Sequence, residues 1–165
     1  MKPILSRELR NHRIYLFLLL AFSLGAILGS VSGKTCSVNL TGSLRMNLMP
    51  AIAQASFFRR LFLLLLFPTL LFAADLTDHP GLILALFFFR GFLLSAAVSA
   101  CVAGAVSSVL PVLLLRAAIS LPVFFDTAAC LWSCKAVGKG GIRFRLIVWN
   151  LLAALCCLFA QMLLL

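Results

Sequence analysis

Uncharged apolar runs long enough to cross a lipid bilayer constrain this chain more than any other feature. Residues 14–31 and 146–165 contain no charged side chain, and each run approaches the roughly 20 residues that a membrane-spanning helix requires. Strands of a membrane barrel would instead be short and alternating. Of the 165 residues, 64% are hydrophobic and 11% are charged, whereas soluble domains are about half apolar and a quarter charged. The sequence therefore predicts an all-α, polytopic membrane helical bundle.

Five transmembrane helices are expected in a single integral membrane domain that covers residues 1–165. No connecting segment is long enough to form a separate soluble domain. The fourth helix contains Pro111 and Pro122, and proline removes a helix hydrogen bond, so we expect this helix to be kinked or broken into two halves. The approximate helix ranges are 14–31, 57–74, 81–103, 106–134 and 146–165.

The net charge of +10 arises from 14 Lys and Arg against 4 Asp and Glu. In a membrane chain, basic residues flank the helices and contact anionic lipid, so we expect the bilayer and no nucleic acid as a partner. If the amino terminus lies on the inner side of the membrane, eight basic residues lie on that side: Lys2, Arg7, Arg10, Arg13, Lys135, Lys139, Arg143 and Arg145. Four lie on the outer side: Lys34, Arg45, Arg59 and Arg60. This count favours an inside amino terminus, although the Arg59–Arg60 pair opposes it.

Three charged residues fall in the interior of predicted helices, away from the helix ends, namely Arg90, Arg116 and Asp126. Each ionised group costs about 2.5–3.5 kcal/mol at the bilayer centre, so each needs a partner or a route to water. A rise of 1.5 Å per residue puts Arg90 and Asp126 at matching depth, roughly 12–14 Å from the inner face, which predicts an intramembrane ion pair. Arg116 would lie near the outer face and snorkel. The alternatives are a substrate or ion path and a contact with another subunit.

Small residues form a second pattern. Gly25, Gly29 and Gly33 are spaced by four and share one face of the first helix, while Gly91 and Ser95 repeat the spacing on the third helix. Small residues let two membrane helices approach closely, so we expect these two helices to pack through them.

Catalytic and metal-binding constellations are not evident in the sequence. It has two histidines and one glutamate, and it lacks a Ser-His-Asp set and an H-E-x-x-H motif. The segment from Asp75 to Gly81 is interpreted as a turn in which Asp78 caps the next helix. The alternative interpretation is a metal site formed by Asp75, Asp78 and His79. Five of the six cysteines lie in apolar segments and are expected to act as small hydrophobes. We expect no enzyme activity, no cofactor and no metal.

The order of several motifs resembles the stage II sporulation protein M family. The matching stretches are "LGAILGSVSG", "FFFRGFLLS" and "SVLPVLLLRAAISLPVFF". They carry the glycines Gly25 and Gly29, the sequence Arg90-Gly91-Phe92, and the prolines Pro111 and Pro122. The chain departs from the family pattern at Ser95, where a second glycine is usual, and in the wider spacing of the prolines.

The resemblance implies a non-enzymatic scaffold in the cytoplasmic membrane of a bacterium, at the sporulation septum. It would anchor peptidoglycan-degrading partners, an amidase/endopeptidase and a lytic transglycosylase, during engulfment of the forespore. The segment from Lys34 to Ser56 would be the docking loop on the outside. The competing hypothesis is a permease or transporter subunit that works with a separate ATPase, since broken helices and buried charges are typical of transporters. Five helices without a repeat would then require an oligomer.

Overall fold

The computed structural model describes residues 2–35, 57–77, 79–103, 110–133 and 140–164. They form five helices: α1 (Lys2–Thr35), α2 (Phe57–Leu76), α3 (Pro80–Ala103), α4 (Leu110–Ser133) and α5 (Gly140–Leu164). Within these ranges the chain contains no strand. The prediction of an all-α helical bundle is confirmed.

Four helices contain spans that are long and apolar enough to cross a membrane. These spans are His12–Ser32, Pro80–Ser99, Leu110–Ser133 and Arg143–Ala160. In α2 the apolar stretch from Leu64 to Leu76 is shorter. Large apolar side chains are exposed along the spans, among them Phe17, Phe89 and Phe159. An exposed apolar surface of this extent requires lipid around it, so the chain is a membrane protein.

Two helices extend beyond the ranges expected from hydropathy. α1 begins at Lys2 rather than near Ile14, and α5 begins at Gly140 rather than Leu146. Hydropathy marks only the part of a helix that can lie in lipid. The flank of α1 contains Lys, Arg and Glu, which are good helix formers, so its helical backbone continues through the basic end. The flank of α5 begins with two glycines, which are poor helix formers, so helix propensity does not explain its earlier start. The apolar span of α1 agrees with the expected range.

The two prolines of α4 have different structural effects. Pro111 lies in the first turn, where its missing N–H would have had no partner within the helix, so it does not interrupt the helix. Pro122 lies inside the helix and cannot donate to the carbonyl of Ala118. The helix is continuous through Pro122 from Leu110 to Ser133, so of the two expected forms, a kinked helix and two half-helices, the second is not present. The expected start at residue 106 lies outside the described residues.

The core lies among α1, α2, α3 and α4 and is rich in aromatic rings. Phe87 is fully buried, and its ring packs edge-on against those of Phe67 and Phe125 at centroid distances of 5.7 and 4.7 Å. Phe67 also packs on Phe124 at 4.8 Å. A second, smaller cluster joins α2 to α5 and α4. Its buried members are Leu64, Ala154, Cys157 and Leu158. Aromatic rings of α2, α3 and α4 meet in this core, so a charged side chain that projects into it lies beside apolar surfaces.

Candidate functional site

Helices α1 and α3 approach each other closely at three glycines. A Cβ atom built on Gly25 would overlap the backbone carbonyl of Phe88, and one built on Gly29 would overlap that of Phe92. From the other side, a Cβ atom on Gly91 would overlap the carbonyl of Phe22. The two backbones are therefore in direct contact, and any side chain larger than hydrogen at these positions would separate them. We call Gly25, Gly29 and Gly91 the glycine seam.

The remaining two residues assigned to helix packing are less informative. Ser95 lies on α3 and is partly buried. Gly33 lies near the end of α1, and its surroundings fall outside the described residues. The α1–α3 pairing expected from the sequence is thus present in the structure, and the seam residues that support it are three glycines.

Arg90 projects from α3 onto aromatic rings. Its guanidinium carbon lies 5.4 Å from the ring centroid of Phe67 on α2 and 5.6 Å from that of Phe124 on α4. Both distances allow a cation–π attraction, which is worth up to about 2 kcal/mol away from water. Such contacts offset part of the cost of the charge, but a ring face accepts no conventional N–H hydrogen bond. The Nε atom of Arg90 is buried and has no hydrogen-bond partner in the described structure.

Asp126 faces a different helix. The hydroxyl of Tyr15 on α1 donates a hydrogen bond of 2.6 Å to Oδ1 of Asp126. Two residues along an α-helix are separated by about 200°, so a helix that turns Phe124 towards Arg90 must turn Asp126 away from it. Consistent with this, the described residues contain no ion pair between Arg90 and Asp126. The pair expected from matching depth is not formed, since depth alone does not fix the direction of a side chain.

The side chain of Arg116 is partly exposed, and its Nε atom is buried without a hydrogen-bond partner among the described residues. Arg116 shares one face of α4 with Ser120 and Phe124, and the guanidinium carbon of Arg90 lies 5.6 Å from the ring centroid of Phe124. The thiol of Cys157 on α5 donates a weak hydrogen bond of 3.9 Å to the backbone carbonyl of Arg116. Arg90 of α3 therefore lies on the side of α4 that carries Arg116.

A cleft of roughly 440 Å³ opens between α4 and α5 on the side of Asp126. Its lining is mainly apolar, with Pro122 and Trp149 among the larger groups, and it includes the exposed side chains of Asp126 and Arg145. Thr127 and Cys130 also line the cleft, and no histidine is among its described lining residues. Nearby, the amide of Asn150 donates a hydrogen bond of 2.8 Å to the hydroxyl of Thr127, which links α5 to α4.

The sequence did not reveal the ion pair that the structure contains. Arg143 on α5 donates to Oδ2 of Asp75 at the end of α2 at 2.5 Å, and the carboxylate is almost completely buried. The available signal was topological: an inside amino terminus places the end of α2 and the start of α5 at the same membrane face. The sequence pattern instead favours a turn or a metal site that includes Asp75, Asp78 and His79. Asp78 lies outside the described residues.

Side chains that commonly bind metals are not clustered in the described part of the chain. No group of three His, Cys, Asp or Glu side chains in these ranges is close enough to hold a metal ion. None of the four described cysteines, Cys101, Cys130, Cys156 and Cys157, forms a disulfide.

Comparison with protein-family models, curated protein sequences and solved structures finds no match to this chain.

Proposed function

We propose that this chain is a membrane scaffold that holds partner proteins at the lipid bilayer, in the manner of stage II sporulation protein M. In this proposal it lies in the cytoplasmic membrane of a bacterium with its amino terminus inside, and it anchors peptidoglycan-degrading enzymes at the sporulation septum during engulfment. It performs no catalysis of its own. The partners are an amidase/endopeptidase and a lytic transglycosylase.

The observation that carries this proposal is the glycine seam between α1 and α3. Gly25, Gly29 and Gly91 allow the two backbones to touch. The same three glycines belong to the stretches that resemble the sporulation family, so the residues of the resemblance have a structural role here. A helix pair locked by backbone contact is a rigid support, as an anchoring protein requires.

The docking region is assigned to residues 34–56, which join α1 to α2 and fall almost entirely outside the described residues. It contains the largest polar stretch between helices in the sequence. With an inside amino terminus this stretch emerges on the outer face of the membrane, where cell-wall enzymes act.

Co-purification from native membranes tests the proposal. A tagged full-length chain is crosslinked in sporulating cells, solubilised in a mild detergent and analysed by mass spectrometry. Enrichment of wall hydrolases over an untagged control supports the scaffold. A variant in which residues 37–55 are replaced by a Gly/Ser linker of equal length should remain in the membrane and lose the hydrolases. Recovery of a nucleotide-binding subunit without hydrolases would contradict the scaffold.

A permease or transporter subunit is the second candidate, and the unpaired arginines of the interior favour it. Arg90 and Arg116 carry buried Nε atoms without hydrogen-bond partners among the described residues. Intramembrane charges of this kind mark substrate paths in transporters. Such a protein would work as an oligomer with a separate ATPase, which the same co-purification would recover.

A further inference from the structure

Three hydrogen-bond donors in the interior of the bundle lack an acceptor in the described structure. They are Nε of Arg90, Nε of Arg116 and the hydroxyl of Ser120, which is only 3% exposed. Leaving a buried donor without an acceptor costs free energy, and the cost is larger for charged groups. An arginine cannot avoid this cost by losing its proton. Three such groups on adjacent helices therefore indicate that an acceptor belongs there.

The three groups face a common region. Arg116, Ser120 and Phe124 are spaced by four residues and share one face of α4. The guanidinium carbon of Arg90 lies 5.6 Å from the ring centroid of Phe124 on this face. The donors from α3 and α4 thus face a common region bordered by Cys157 of α5, whose thiol donates to the backbone carbonyl of Arg116.

Neither Asp75 nor Asp126 is available to balance these two charges. Asp75 is bonded to Arg143, and Asp126 accepts from Tyr15 on another face of α4. Two like charges brought together inside a membrane are strongly unfavourable, and an anion between them would convert mutual repulsion into attraction on both sides.

We propose that Arg90, Arg116 and Ser120 form a binding site for an oxyanion, with phosphate as the group that fits best. Guanidinium groups bind phosphate through paired N–H donors in a fixed planar geometry, and the serine hydroxyl supplies a further donor. The phosphate comes either from the headgroup of an anionic phospholipid or from a free anion. This site is independent of the scaffold function, because it needs no partner protein.

The position of Arg116 makes the site reachable from the membrane surface. It lies six residues after Leu110, so its Cα atom is about 9 Å along the helix axis from the start of α4. Long arginine side chains and local sinking of a headgroup bridge depths of this order.

Thermal unfolding of the full-length chain in lipid nanodiscs tests the proposal and separates the two sources. The first arm uses phosphatidylcholine nanodiscs with sodium phosphate against sodium chloride at equal ionic strength. The second arm uses phosphatidylcholine nanodiscs with and without phosphatidylglycerol, in buffer free of phosphate. A rise in Tm in the first arm identifies a free anion, and a rise in the second identifies a lipid headgroup.

Substitutions then assign the effect to the site. Arg90→Gln or Arg116→Gln should raise the half-saturating concentration of the effective probe by about 10- to 100-fold, as expected for a lost charged hydrogen bond. Ser120→Ala should have a smaller effect in the same direction. Arg13→Gln removes an equal charge from an exposed position on α1 and should leave the response unchanged.

The unfolding temperature of the variants without the probe distinguishes anion binding from a purely structural role. Without the probe, Arg90→Gln should unfold at the same temperature as the natural chain or higher, because an unbalanced buried charge has been removed. If the glutamine variants do not assemble, Arg90→Lys and Arg116→Lys keep the charge, lack Nε, and should still weaken binding. Absence of a Tm rise with either probe, or an equal rise in Arg13→Gln and Arg90→Gln, would overturn the proposal.

Discussion

Tyr15 on α1 and Asp126 on α4 are joined by a hydrogen bond of 2.6 Å from the phenol to the carboxylate. The donor is partly buried and the acceptor is exposed. This bond ties the first helix to the fourth at a level where the surrounding side chains are mainly apolar. Hydrogen bonds to charged groups are stronger than those between neutral groups, so this contact contributes to the position of α1.

Tyr15→Phe removes the donor and keeps the ring. We expect the free energy of unfolding to fall by about 1 kcal/mol, since a charged acceptor loses its partner but stays accessible to polar surroundings. Unfolding in mixed micelles, followed by the fluorescence of Trp132 and Trp149, measures the change. Asp126→Asn is the matched control, because its amide oxygen can still accept from Tyr15 and the loss should be smaller. An equal stability of Tyr15→Phe and the natural chain would show that the bond has no net effect.

The glycine seam leads to a second prediction. Gly25→Ala, Gly29→Ala and Gly91→Ala each place a methyl group against a backbone carbonyl of the facing helix. Backbone cannot move aside as a flexible side chain can, so α1 and α3 must separate, at a cost of about 1–3 kcal/mol for each substitution. Micelle unfolding measures this loss directly.

Gly81 provides the control for the seam within the same protein. A Cβ atom at Gly81 would have nothing within 4 Å, so Gly81→Ala adds a methyl group in open space at the start of α3. Alanine is a better helix former than glycine, and the variant should be as stable as the natural chain or slightly more stable. A loss in Gly81→Ala as large as in Gly29→Ala would mean that the losses do not report on the seam.

Much of this fold follows from the sequence for a simple physical reason. Inside lipid the backbone must satisfy its own hydrogen bonds, so long apolar runs become helices with little competition from other structures. Small residues at a spacing of four then indicate which faces can approach, as Gly25 and Gly29 do. The helix ends were less predictable, because Lys2 and Gly140 begin helices in segments that hydropathy reads only as flanks.

The side-chain site was less accessible to sequence reasoning. Counting residues placed Asp126 at about the height of Arg90, and the contact of Arg90 with Phe124, two residues away, agrees with that height. The direction in which a side chain points around the helix axis depends on which faces of the helix pack. Two positions along the helix point in nearly opposite directions. The same limit applies to Asp75, whose partner Arg143 lies on a helix that is distant in the sequence.

The polar contact between α4 and α5 leads to a third prediction. Asn150 donates to the hydroxyl of Thr127, which itself donates to the carbonyl of Val123 at 2.7 Å. Thr127→Val keeps the shape of the side chain and removes the acceptor for Asn150. Hydrogen bonds between membrane helices are worth about 0.6–2 kcal/mol, and we expect a loss in this range by micelle unfolding.

Thr69→Val is the control for Thr127→Val. The hydroxyl of Thr69 bonds only to the carbonyl of Leu66 on its own helix, and the side chain is exposed. Its replacement should change the unfolding free energy by less than about 0.5 kcal/mol. Similar losses in the two variants would indicate that valine affects the helices themselves rather than the contact between α4 and α5.

The ion pair between Asp75 and Arg143 gives a fourth prediction, in which the two halves are not equivalent. The side chain of Asp75 is 3% exposed and that of Arg143 is 32% exposed. Arg143→Gln leaves a buried carboxylate without its cation, which should cost about 2 kcal/mol or more. Asp75→Asn leaves an arginine that can turn towards water, and the loss should stay below about 1 kcal/mol.

Unfolding of the double variant, which combines Asp75→Asn with Arg143→Gln, completes the test. Its two new amide side chains are both neutral and can still hydrogen-bond, so the combination should be more stable than Arg143→Gln alone. Arg145→Gln removes an exposed charge two residues further along α5 and should change stability by less than about 0.5 kcal/mol. Equal losses for Asp75→Asn and Arg143→Gln would contradict the argument, since they would mean that the burial of the carboxylate does not decide the cost of breaking the pair.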